Sequence, residues 1–364
     1  MIKHAALAKH AVLVLILLAT GCARQEPPLG PTERPNLLFI VTDDQRFDML
    51  GVVNPLLHTP NMDRLSSEGT RFENAFVTSP ICAASRASLL TGAYERTHGF
   101  TFGTPPLAAD FTDQSYPTLL REAGYQTGFV GKFGVGTEEG ATDAMFDVFV
   151  PLRTNPYFKE LDDGSIRHLT DITADESISF LRFTDRTRPF ALTVSFNAPH
   201  AEDGDERQYI WPESMDTLYS DASRPDPELS DPAFFDALPE FLKDASMNRI
   251  RWYWRFDTPE KARRMTRGYY RMISGVDAAI GRILDELDSL GMAENTVVLL
   301  TGDNGYFLGE RGYAGKWLPY ELSIRVPLLV WDPRVQDRLR GSRPSQPVLN
   351  IDIAPTLLDL AGVG

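Results

Sequence analysis

The chain has 364 residues, 43% of them hydrophobic and 24% charged, with a formal net charge of −14. These are the proportions of a globular protein that can bury a sizeable core, not of a disordered chain. The acidic balance argues against binding nucleic acid, and it means that an anionic substrate must be drawn by a local cluster of positive groups against the overall field.

At the N-terminus, Lys3 and Lys9 accompany the apolar run Ala11 to Leu18, the pattern of an export signal. The run is too short to span a bilayer. It closes on Ala19-Thr20-Gly21-Cys22, which is similar to a bacterial lipobox, where cleavage leaves a cysteine that takes up lipid. Residues 1–21 are therefore expected to be a lipoprotein signal peptide, and the mature protein to be exported and held in a bacterial cell envelope, in the periplasm or at the cell surface. Lipid on Cys22 would be its sole membrane contact. Residues 22–34 are rich in proline and polar groups and read as a tether, with one domain expected over 35–364.

The segment Asn36 to Thr42 is a continuous apolar run bounded by turn formers, the mark of a strand buried on both faces of a parallel sheet. Further strands are expected at Gln126 to Val130, Pro189 to Ser195, Thr296 to Thr301 and Val326 to Trp331. They alternate with helical patterns over 60–68, 85–92, 115–123, 259–290 and 352–361. This alternation predicts an α/β fold with a mostly parallel central sheet flanked by helices, which binds ligands beyond the carboxyl ends of its strands. Residues 201–258 break the rhythm with acidic, proline and aromatic residues, as an insertion that either packs on itself or shapes a pocket.

Asp43 and Asp44 follow the first strand, and Asp303 and Asn304 follow the strand ending at Thr301. In a parallel sheet both pairs reach the same edge, and an all-oxygen set suits a hard cation such as Ca²⁺ or Mg²⁺. Either pair alone would more often be a turn or a helix cap. The chain has only two cysteines, so lipid on Cys22 would leave Cys82 unpaired in an oxidising compartment, where a free thiol is either buried or chemically employed.

Cys82-Ala83-Ala84-Ser85-Arg86, followed by Leu90-Thr91-Gly92, resembles the motif of the formylglycine-dependent (type I) sulfatase family of the alkaline phosphatase superfamily. Similar matches run from Thr59 to Phe76, over Asp303-Asn304-Gly305, Gly315 to Glu321 and Asp352 to Thr356, so the resemblance spans roughly residues 35–362. It implies an enzyme that cleaves sulfate monoesters of small molecules or polysaccharides, sulfated carbohydrate above all. Cys82 would be converted to formylglycine (3-oxoalanine) by a formylglycine-generating enzyme. One metal, calcium rather than magnesium or manganese, would be held by Asp43, Asp44, Asp303, Asn304 and the modified Cys82. One hydroxyl of the aldehyde hydrate attacks sulfur and the other later expels sulfate by re-forming the aldehyde. Arg86, Lys132, His200 and Lys316 match the family's remaining site residues, with Lys316 or His200 protonating the leaving oxygen.

The pattern departs from the family in three places. Ala84 stands where many relatives have proline, and Gly134 where many have a histidine two residues after the first lysine. The family's smaller C-terminal subdomain of antiparallel strands is expected to be missing after Gly364. Alternatives are a phosphonate or phosphate ester hydrolase of the same superfamily, and a non-catalytic carbohydrate-binding relative.

Overall fold

β1 (Asn36–Thr42) is buried along its whole length, which suits a strand in the middle of a sheet. In the structure, a computed structural model that describes residues 34–153, 155–220, 227–243, 246–334 and 340–363, it has partners on both edges. The signal peptide, Cys22 and the tether up to residue 33 lie outside the described residues. The other strands of this sheet are β2 (Thr70–Arg71), β3 (Gln126–Gly131), β4 (Val148–Pro151), β5 (Phe190–Ser195), β6 (Thr296–Gly302) and β7 (Leu328–Trp331). Their order is β2-β7-β6-β1-β5-β3-β4. β6, β1, β5, β3 and β4 run parallel, whereas β7 is antiparallel to both β6 and β2.

The run expected as one strand from Val326 to Trp331 divides at Pro327. Arg325–Val326 pairs with Ala75–Phe76 in a separate small sheet, and β7 begins only at Leu328. Proline has no N–H to give to a ladder, so a strand changes partners there at little cost.

Helices α1 (Pro60–Glu68), α2 (Cys82–Thr91), α3 (Tyr116–Glu122), α4 (Leu169–Phe183), α5 (Met247–Arg255), α6 (Pro259–Ser289) and α7 (Ile353–Leu360) surround the sheet. α2 starts three residues before the expected 85, which puts Cys82 in its first turn. Alternate side chains of β1 feed two cores. Leu38 and Ile40 pack in a cluster with Ile178 and Leu181 of α4 and with Ile273, Ile280 and Leu284 of α6. Leu37, Phe39 and Val41 pack in another with Ala87, Leu89 and Leu90 of α2 and with Leu357 of α7. No helix among the described residues is long and apolar enough to cross a membrane.

The first turn of α1 is tied to α6. Asp277 of α6 accepts from the backbone N–H of Met62 at 2.7 Å and of Asn61 at 3.2 Å, and Asn61 Nδ2 donates to Asp277 Oδ2 at 3.0 Å. A Cβ at Gly281 would stand 2.7 Å from Asn61 Cγ, so this close approach needs glycine. Intrinsic helix propensity would make Gly281→Ala stabilising by about 1 kcal/mol. The crowding of Asn61 reverses the sign, and equilibrium denaturation is expected to show a loss of about 1–2 kcal/mol.

Candidate active site and metal centre

β1 and β6 run parallel in a register that pairs Thr42 with Gly302, so the residues that follow each strand emerge side by side. Asp303 N donates to Thr42 O at 2.9 Å, and Asp44 N donates to Asp303 Oδ1 at 3.2 Å. Asp44 has φ +65, a left-handed conformation that aspartate tolerates better than most residues, and Tyr269 of α6 holds it by donating its hydroxyl to Asp44 O at 2.5 Å. Asp43, Asp44, Asp303 and Asn304 are all buried here.

Three cations meet these three carboxylates. Arg86, one helical turn after Cys82, donates from Nε to Asp303 Oδ2 at 2.7 Å, and from Nη1 to Lys132 O at 2.6 Å and to Ser195 Oγ. Lys132, just beyond β3, pairs with Asp43 Oδ2. Lys316 follows the short strand Ala314–Gly315 and places Nζ 2.6 Å from Asp44 Oδ1 and 3.4 Å from Asp43 Oδ1.

Burial works to raise the Asp43 carboxyl, but Lys132 and Lys316 hold it well below the usual carboxylate range. Burial, and then repulsion from Asp43, pushes Asp303 up to about 6. Burial also opposes the charges on Arg86, Lys132 and Lys316, and the neighbouring carboxylates more than offset it, keeping all three protonated. His200 is different, because burial pushes its imidazole down and leaves it neutral. Its Nδ1 lies 2.7 Å from Ala201 O and donates to it, so Nε2, 3.9 Å from Asp44 Oδ2, carries the lone pair.

Cys82 opens α2, where the first-turn N–H groups have no helical partner, and Ile81 offers no side-chain cap. Its Sγ and carboxylate oxygens of Asp43 and Asp303 lie within 4.8 Å of one another. Asp43, Asp44 and His200 form a second such group.

Two orphaned atoms show what this arrangement fits. Asn304 Oδ1 and Arg86 Nη2 are buried without a hydrogen-bond partner. A buried oxygen beside three carboxylates suits a hard dication, and a buried guanidinium N–H on the helix that opens with Cys82 suits an added oxygen acceptor. Three carboxylates against three cations are balanced, so a dication leaves the site net positive. That supplies the local attraction for an anion which the charge of the whole chain opposes.

The structure thus brings together all nine residues singled out from the sequence: Asp43, Asp44, Cys82, Arg86, Lys132, His200, Asp303, Asn304 and Lys316. Others had no local signal. Tyr157 donates its hydroxyl to Asn197 O at 3.0 Å and His200 O at 2.7 Å, fixing the loop that carries His200. Asn248 of α5 donates to Lys316 O at 2.8 Å, so the insertion over 201–258 reaches the site.

The missing histidine also has a structural basis. Gly134 has φ +69, and a Cβ there would stand 3.1 Å from Arg86 Cδ. A side chain would strain the backbone and press on the arginine that binds Asp303. Gly134→His is therefore expected to lower stability by roughly 1–2 kcal/mol and to leave turnover no higher than the parent's, as read by denaturation and initial rates. A rise in turnover would contradict this reading.

The sulfatase family profile matches residues 35–363. The N-acetylglucosamine-6-O-sulfatase of Bacteroides thetaiotaomicron is 29% identical over 97% of this chain and 72% of that protein. The choline-sulfatase of Rhizobium meliloti is 31% identical over 91% of this chain and 68% of that protein. Among solved structures, a protein in complex with its substrate D-glucosamine-2-N,6-O-disulfate superposes with a TM-score of 0.74 at 28% identity, covering 91% of this chain and 77% of that one. The architecture and the family match agree, and the chain belongs to the sulfatase family.

Proposed function

We propose that this chain hydrolyses a sulfate monoester of a carbohydrate, using formylglycine at Cys82 and one divalent metal. The observation that carries the reading is the grouping of Cys82 Sγ with Asp43 and Asp303 inside a buried cluster of three carboxylates and three cations. The named activity of the Bacteroides relative and the sugar in the solved complex support a sulfated sugar as substrate.

Asp43, Asp44, Asp303 and Asn304 would hold the metal. Calcium suits them better than magnesium or manganese, because it tolerates an irregular shell of oxygens. Bound there, the metal would polarise the sulfuryl oxygens and favour a deprotonated hydroxyl at position 82. Formylglycine, installed by a formylglycine-generating enzyme, would supply two geminal hydroxyls, one to attack sulfur and one to release sulfate as the carbonyl re-forms.

The chain's own groups do the rest. Arg86 orients position 82 through Nη2 while Nε braces Asp303. Lys132 and Lys316 neutralise charge spread over the sulfuryl oxygens. Lys316, which is protonated, can hand a proton to the departing sugar oxygen, and the Nε2 lone pair of neutral His200 can accept a hydrogen bond from the alcohol once it carries that proton. The leader and Cys22 support export and a lipid anchor in the cell envelope.

The test is to produce the full chain beside a formylglycine-generating enzyme and weigh the peptide that contains residue 82, together with rates on N-acetylglucosamine 6-sulfate and on a phenyl phosphonate ester. Conversion of thiol to aldehyde lowers the mass by about 18 Da, and sulfate release is expected to fall by at least about 10⁴-fold in Cys82→Ala. Lys316→Ala is expected to cost roughly 10²–10³-fold. Faster turnover of the phosphonate, or full activity with an unmodified thiol, would overturn the proposal.

A further inference from the structure

Beside the sulfate-binding groups lies an aromatic and cationic surface that the chemistry above does not use. Trp317 follows Lys316 directly and has φ +80, a conformation that a bulky aromatic adopts only where its surroundings impose it. Its backbone N–H donates at 3.1 Å to the carbonyl of Pro80, two residues before Cys82. This holds the half-buried Trp317 beside the segment that leads into Cys82. Phe102 meets it edge to face, with ring centroids 5.5 Å apart and planes at 82°, although Phe102 itself is 63% exposed. An exposed phenylalanine packed on a strained tryptophan gains little for the fold, and both would gain from a ring laid against them.

The third member comes from the insertion. The Arg251 guanidinium lies 4.8 Å from the Trp317 ring, and its Nε and Nη2 donate to Asp203 Oδ2 at 3.1 and 2.7 Å. Asp203 also takes Arg255, so one carboxylate faces two guanidiniums and a positive charge is left over. Both Arg251 bonds leave from Nε and Nη2, so Asp203 does not engage Nη1. Asn248, Arg251 and Arg255 share one face of α5, and Asn248 fixes that face to the Lys316 carbonyl.

We infer that Trp317 and Phe102 carry the sugar ring of a substrate whose sulfate lies at Lys316, and that Arg251 Nη1 donates to an oxygen of that ring. The apolar C–H face of a hexopyranose stacks on aromatic rings, and its rim oxygens accept from a guanidinium. This assignment rests on the sulfate-ester reading above and adds to it the determinants that distinguish a sugar ester from sulfate alone.

The experiment compares two probes by calorimetry on the calcium-loaded full chain: inorganic sulfate, which fills only the sulfate pocket, and N-acetylglucosamine 6-sulfate. Trp317→Gly removes the ring while suiting the left-handed backbone that places Lys316, and Phe102→Ala alters an exposed side chain, so at least one variant keeps the fold. Each is expected to weaken the sugar sulfate about tenfold more than inorganic sulfate, with the effect on turnover appearing in KM rather than kcat. Equal weakening of both probes would mean that only Lys316 had been disturbed, and would overturn the subsite. So would a parent protein that binds the sugar no better than sulfate. A parent that prefers the sugar sulfate and loses that preference in the variants, yet turns over neither ester, would sink the hydrolase reading and leave the subsite standing.

Discussion

Three carboxylates, Asp43, Asp44 and Asp303, are buried together, and the rest of the molecule is arranged to make that arrangement tolerable. Each buried charge costs several kcal/mol of lost hydration unless neighbours compensate it. Compensation comes from Arg86 on α2, Lys132 beyond β3 and Lys316 beyond a short hairpin strand, three segments far apart in the chain. They converge because β1 and β6 end at the same level of a parallel sheet. The two apolar cores on either face keep that sheet rigid, so the charge cluster inherits its geometry from a large hydrophobic scaffold.

Around the cluster, a set of hydrogen bonds fixes backbone rather than charge. Tyr269 holds Asp44 in its left-handed conformation, Tyr157 holds the His200 loop, and Asn248 holds the Lys316 carbonyl. Removing any of them would leave the charged groups present but less well aligned, which is costly in a site whose chemistry depends on preorganised dipoles and charges. The insertion that supplies Asn248 is therefore part of the site's support.

Much of this was legible in the sequence where a local pattern carries the physics. The unbroken apolar run from Leu37 to Val41 has the pattern of a central strand, and the Asp43-Asp44 and Asp303-Asn304 pairs that follow two such strands were expected to share an edge. The Cys82 to Arg86 spacing put both side chains on one helical turn. What was hidden depends on long-range geometry. The antiparallel course of β7 and its separation from Arg325–Val326 at Pro327 depend on partners that no local pattern names. The Asp203 and Arg251 pair is separated by 48 positions and by a break in the α/β rhythm. The departure at Gly134 was visible as a residue change, but its cause, a left-handed backbone pressed against Arg86, exists only in the folded chain.

The balance of three carboxylates and three cations implies a binding order under the proposed function: the site would become net positive, and able to hold an anion, once a dication entered. The measurement that tests this most directly is a calorimetric titration of inorganic sulfate into the full chain with and without saturating Ca²⁺. Sulfate is expected to bind at least about tenfold more tightly with Ca²⁺ present, and the gain to disappear in Asp303→Asn. Equal sulfate affinity in the two conditions, or no heat from Ca²⁺ itself, would contradict the assignment of these buried carboxylates to a metal centre.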